Sequence, residues 1–421
     1  MSDNNLEISR RRVLGTVGAA GAAGLVIGAA GGAGISAAVS GDGSETGKAG
    51  SGGSPALTTV GATEVMFHGK HQAGITTPLQ SRGHLIAFDL APGAGRKEAA
   101  ALLRRWSATA KALMAGRTAT GDTGIALDAG PSSLTVTFGF GRTFFDRTGL
   151  TARRPAQLDP LPPFSSDALD PKRSEGDLWV QIGADDALVA FHALRALQKD
   201  AGDAARVRWQ MNGFNRSAGA TARPMTARNL MGQVDGTNNP KPADPDFDRR
   251  IFVPGSSASD WMAGGSYAVV RRIRMLLDDW ERLSLDKQEK VIGRRKSDGA
   301  PLSGGSETTP LDLNKMGPDG KTVIPDNAHA RISAPAQNGG AAMLRRPFSF
   351  HDGIAADGTP DAGLLFVCWQ ADPLRGFVPV QRKLDRGDAL SPFLRHEASG
   401  LFAVPGGPAE GEYVGQRLLE A

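Results

Sequence analysis

The 421-residue sequence predicts an α+β fold made of two ferredoxin-like halves, antiparallel sheets with helices packed at their periphery. Three observations predict it. Short apolar runs carry the strand period and longer ones the helical period; the runs follow the order β-α-β-β-α-β over residues 84–211; and the same vocabulary returns over residues 267–384.

His84–Leu90 (HLIAFDL) has the composition of a strand, and within Arg96–Met114 the residues Leu102, Leu103, Trp106, Ala110, Leu113 and Met114 fall at helical spacing. Leu134–Phe138 (LTVTF) alternates apolar and polar positions as a half-buried strand does. Asp177–Gly183 (DLWVQIG) reads as the next strand, followed by a helix near Ala187–Leu197 and a third alternating stretch, Arg206–Met211. In the second half Tyr267–Met275 suits a strand, Leu283–Ile292 a polar helix, Leu364–Gln370 (LLFVCWQ) a buried strand, and a helix runs toward Leu384. No sequence repeat links the halves, so the duplication is an inference from element order. The small, polar run Ala218–Arg223 places the divide near it, giving an N-terminal half over 56–222 and a C-terminal half over 223–421.

Composition narrows the function. With 40% hydrophobic and 22% charged residues the chain is globular rather than disordered, and its 55 Gly and 26 Pro make it loop-rich. One cysteine, Cys368, excludes an internal disulfide, a four-thiolate metal site and a covalent haem link of the Cys-x-x-Cys-His kind. A formal net charge of +4 gives no nucleic-acid footprint.

The first forty residues read as a targeting segment. Ser9-Arg10-Arg11-Arg12-Val13-Leu14 opens an uncharged stretch, Val13–Val39, whose eight Gly and only eight Val, Leu or Ile are weakly apolar for a permanent anchor. The pattern resembles a twin-arginine export signal over 1–40, with a Gly/Ser-rich linker over 41–55. The expected location is therefore extracellular or the cell envelope, with no stable membrane insertion once the signal is cleaved. Export in folded form is associated with cofactors inserted before transit.

The chemistry-bearing residues are few. Seven histidines (68, 71, 84, 192, 329, 351 and 396) form no zinc-type spacing, and neither a Gly-x-Ser-x-Gly elbow nor a phosphate loop is present. Gly232-Gln-Val-Asp235-Gly236, inside Asn229–Pro240, reads by itself as a turn, because Asp-Gly and Asn-Pro are ordinary turn formers. His329 by itself could equally be a surface histidine after the turn Pro325-Asp326-Asn327.

Other segments join this run in a fixed order: His71-Gln-Ala-Gly-Ile75, then Asn229–Pro240, His329-Ala-Arg-Ile332, Leu344-Arg-Arg-Pro-Phe-Ser-Phe350, Gly363–Gln370 and Leu401-Phe-Ala-Val-Pro-Gly-Gly407. With these motifs the whole mature chain resembles the dye-decolourising peroxidases, in particular their twin-arginine-exported, EfeB-like branch. The resemblance implies a dimeric α+β barrel-like fold binding one non-covalent haem b mainly in the C-terminal half. It implies a peroxidase in which hydrogen peroxide drives one-electron oxidation of phenols, dyes or a protein electron donor through a ferryl intermediate. It leaves as alternatives a deferrochelatase that releases iron from haem, and a haem-binding protein without turnover; self-association is compatible with each.

Carried onto this chain, the resemblance makes His329 the iron ligand, with His351, in a turn over Phe350–Gly353, as the competing histidine. Asp235 takes the place of the proton-transferring carboxylate, and Gly232 and Gly236 would let its loop approach the haem. Arg345 matches the distal arginine that stabilises charge on the departing oxygen. Arg346 is the alternative by adjacency, and strand alternation lets only one of the two face the iron. Arg331 is a candidate for a haem propionate. No single carboxylate can be named as the orienter of the ligand imidazole.

Overall fold

The computed structural model describes residues 58–221, 226–255 and 259–421. The expected signal segment, the linker and the divide at 222/223 lie outside the described residues.

In the N-terminal half, β1 (Arg82–Leu90), β2 (Thr135–Gly141), β3 (Leu178–Ala184) and β4 (Ala205–Phe214) form an antiparallel sheet in the order β2-β3-β1-β4. This is the ferredoxin-like order. The helix Arg96–Met114 buries Leu102, Leu103, Trp106, Ala110 and Leu113, as the spacing requires, and Trp106 Nε1 donates to the Leu197 carbonyl at 2.9 Å. That bond ties it to the second helix, Ala187–Ala201, which starts where Asp186 accepts from the amides of Leu188 and Val189 and stops at Gly202.

The C-terminal half repeats the plan with β5 (Ser266–Met275), β6 (Leu344–Arg345), β7 (Phe348–Ile354), β8 (Pro360–Gln370) and β9 (Leu394–Val404). β6 and β7 pair one after the other along β8, so they act as one interrupted strand, and the order is β9-β5-β8-β7. Two seams join the halves edge to edge: Phe140↔Ala403 with Gly141↔Phe402, and Phe214↔Ser349. The two sheets thereby close into a single antiparallel barrel through these two short seams.

Aromatic residues fill the barrel. Trp179 stacks on Phe402 at 5.3 Å and lies 5.9 Å from Trp369, while Phe348 packs where Gly83 and Gly213 leave room. On β5 the side chains alternate: Ala268 and Val270 join this inner core, whereas Arg271, Ile273 and Met275 face outward to a cavity under the C-terminal loops.

The structure corrects one local expectation. Phe350–Gly353 is not a turn but the middle of β7, with Phe348 and Phe350 buried inside the barrel and His351 exposed. The polar end of the run looks like a turn in sequence, and pairing with β8 makes it a strand. Strand β9 is likewise absent from the sequence reading. No helix among the described residues is long and apolar enough to cross a membrane.

Candidate active site

The cavity on the outer face of the C-terminal sheet collects the chemistry. Ile273 and Met275 of β5, Leu364 and Phe366 of β8 and Leu394 of β9 give it an apolar floor. His329 enters from a short helical turn, His329–Ile332, whose preceding residue Ala328 is fully buried and whose loop is fixed by the bond from the Ala389 amide to the Asn327 carbonyl.

That bond brings two distant segments together. His329 Nδ1 lies 2.7 Å from Oδ2 of Asp388, a carboxylate with only 2% of its side-chain surface exposed, whose Oδ1 accepts from the Leu390 amide. The imidazole retains 30% exposure, turned to the cavity it lines. Burial alone would depress its pKa, but the Asp388 charge and hydrogen bond outweigh burial and raise it. Nδ1 therefore donates to Asp388, and Nε2 is left for the cavity.

Asp235 and Arg345 reach the same cavity and pair with each other, Arg345 Nη1 to Asp235 Oδ1 at 2.7 Å. Asn239 aligns them: its side chain accepts from the Arg345 amide at 3.2 Å and donates to the Arg345 carbonyl at 2.8 Å. Asn229 supports the other end, donating to Asp235 Oδ2 at 3.4 Å. The run Asn229–Pro240 is thus a turn, as its composition says, and also the wall that carries Asp235.

Strand alternation separates the adjacent arginines. Arg346 points away from the cavity, where it is 3% exposed and donates to the carbonyls of Gly74 and Pro78 and to Gln80 Oε1. Burial pushes its pKa down to about 10.

Two family models, the C-terminal and N-terminal parts of the Dyp-type peroxidases, match residues 226–409 and 72–215. The chain belongs to the Dyp-type peroxidase family. It is 46% identical over 361 residues to a dye-decolorizing peroxidase of Thermobifida fusca, covering 83% of this chain and 84% of that one. It is 34% identical over 370 residues to a deferrochelatase of Escherichia coli (strain K12), covering 84% and 86%. Among solved structures, ferric DtpA of Streptomyces lividans is 77% identical, with a TM-score of 0.85 over 87% of this chain and all of that one.

Within this Dyp-type peroxidase the sequence-predicted residues separate into three groups. His329, Asp235, Arg345 and Gly236 line one cavity. Gly232 does not: it serves the turn itself, with φ +79° and a position where a Cβ would lie 2.7 Å from Lys296 Cε. Arg331 does not reach the cavity either, because its guanidinium bonds the Leu313 carbonyl and Asp326.

The residues that sequence reasoning missed are Asp388, Asn239, Arg271 and His396. Asn239 stood inside a quoted motif. The other three come from β5, β9 and a helix end, with no local spacing to single them out.

Proposed function

We propose that this cavity holds one non-covalent haem b through His329, and that Asp235 and Arg345 act there on hydrogen peroxide. The observation that carries the proposal is the His329–Asp388 pair. An imidazole with one nitrogen committed to a buried carboxylate and the other free is built as a metal ligand, and the apolar floor beside it suits a porphyrin face. The 77% identical relative described as ferric supports the same group.

His329 would hold the haem there, and the group would supply a redox-active iron for the reaction with peroxide. Asp388 keeps the His329 ring oriented and its free nitrogen electron-rich. Asp235 takes a proton from the incoming peroxide and returns it to the leaving oxygen. Arg345 holds the Asp235 carboxylate in place through Nη1, and its further N–H donors meet the negative charge on the departing oxygen. Reducing equivalents come from phenols, dyes or a protein donor. Export by the twin-arginine signal delivers the loaded protein to the cell envelope or beyond.

Stopped-flow measurement of peroxide consumption tests this division of work. Asp235→Ala should slow it by about 10²–10⁴-fold, and Arg345→Leu by about 10²–10³-fold. Rates within about threefold of wild type for both variants, well below either contribution, would overturn it. The likeness to deferrochelatases favours a second reading, iron release from the same site. Iron-free porphyrin accumulating from haem without peroxide would select that reading.

A further inference from the structure

The motif His71-Gln-Ala-Gly-Ile75 is left unexplained by the cavity of His329, since none of its residues lines that cavity. Its first two residues divide their work. Gln72, 3% exposed, is structural: its side chain donates to the carbonyls of Phe138 and Pro405, each at 3.0 Å, and accepts from the Phe138 amide at 2.9 Å. His71 turns instead into a second cavity, of about 1450 Å³. There its ring stacks on Phe252, with centroids 3.4 Å apart, and its Nδ1 lies 2.6 Å from the Gly264 carbonyl oxygen.

A carbonyl only accepts, so Nδ1 carries the ring proton and Nε2 keeps a lone pair. Nε2 makes no hydrogen bond among the described residues, and the half-buried ring leaves it open to the cavity. Burial, the largest influence, lowers the His71 pKa from its ordinary value; Lys70 acts in the same sense, and the Gly264 bond and Asp248 oppose it. The ring is therefore neutral at pH 7. The cavity is no anion trap, because its five Lys and Arg side chains each stand against a carboxylate, as Lys70 does against Asp248 at 3.1 Å and Arg250 against Asp246 at 2.7 Å. A fixed acceptor within such walls suits a neutral molecule with an acidic O–H.

The two cavities adjoin. Ala341 and Ala342 line both, and Gly376 lines this one while its neighbour Phe377 lines the other. Tyr267 faces this cavity and Arg271 the other from the same outer side of β5, a span of about 13 Å along the strand.

We propose that the second cavity is the donor site for phenols, in which the phenol O–H donates to His71 Nε2 and passes its proton there as one electron leaves for the adjoining cavity. This rests on the haem reading of that cavity. The O–H bond breaks, the proton goes to Nε2, the electron goes to the peroxide-oxidised haem, and a neutral phenoxyl radical departs. The imidazolium then returns the proton to solvent. Without a base beside it, the phenol would have to lose its electron first and become a radical cation, the costlier order.

Calorimetry without peroxide and turnover with it test the site on the purified holoprotein, with guaiacol as the phenol and ferrocyanide as a donor that carries no proton. Wild type should bind guaiacol with the haem absorption band unmoved, and heavy water should slow its oxidation of guaiacol but not of ferrocyanide. His71→Asn keeps a donor for Gly264 and removes Nε2. Guaiacol binding should weaken about 2- to 10-fold, and its kcat/KM should fall about 10²-fold or more, with ferrocyanide oxidation unchanged. Ala409→Trp, at an exposed position that lines this cavity and not the other, should raise KM for guaiacol alone. A merely structural His71 would slow both donors together. That outcome, or guaiacol binding and turnover unchanged in both variants, would overturn the donor site. If His71→Asn does not fold, Ala409→Trp decides. A wild type without the haem absorption band would overturn the haem reading itself, and the donor site with it.

Discussion

At the residue scale the site depends on pairings that the chain makes over long sequence distances. His329 and Asp388 are 59 residues apart, and Asp235 and Arg345 are 110 apart. The motifs identify His329, Asp235 and Arg345 singly. The sequence does not identify Asp388, because it lies just past the helix Phe377–Gly387 and becomes a partner only when the Ala389 amide docks on Asn327. Its charge should matter more than its shape. Asp388→Asn keeps a hydrogen-bond acceptor on His329 but removes the negative charge that makes the ring electron-rich. The variant should bind haem about 10–100-fold more weakly, and the ferric form should become easier to reduce. A redox titration beside a haem-affinity measurement checks both, and wild-type values for each would show that orientation alone suffices.

At the scale of elements, legibility follows locality. The helix Arg96–Met114 and strands β1 to β4 were readable, because their periodicity is set by one apolar face each. β7 and β9 were not. β7 ends in the turn-like His351-Asp352-Gly353, and β9 passes a register shift opposite Arg272/Ile273 and contains Gly400, so alternation is broken in sequence while pairing with β8 and β5 restores the strand. The same pairing fixes the register that sends Arg345 to the cavity and Arg346 away from it. The seam between β4 and β7 depends on a missing side chain: a Cβ at Gly213 would lie 2.5 Å from Phe348 Cβ. Gly213→Ala should therefore destabilise the fold by about 1–3 kcal/mol through overpacking. Chemical denaturation reads this, and an unshifted midpoint would mean that the seam adapts without strain.

At the scale of the whole molecule, two ferredoxin-like halves close one barrel, and the C-terminal half carries the cavity on its outer face. Element order made the duplication legible and the family resemblance implied a barrel-like fold, but the particular seams, β2–β9 and β4–β7, were beyond sequence, since they join strand edges with one or two residue pairs each. The proposed export route adds a prediction at this scale. Replacing Arg10 and Arg11 with Lys should leave haem-loaded, active precursor inside the cell, as in-gel peroxidase staining after fractionation would show; normal export of the double-Lys variant would contradict a twin-arginine signal. The central claim is that His329 alone ties the iron to the chain, and one measurement tests it most directly: the absorption spectrum of purified His329→Gly with and without added imidazole. The account predicts that the variant loses the haem band or shows it shifted and weak, and that free imidazole, filling the space of the missing ring beside Asp388, restores a wild-type-like spectrum. Full haem occupancy with an unchanged spectrum in His329→Gly, before any imidazole is added, would contradict it.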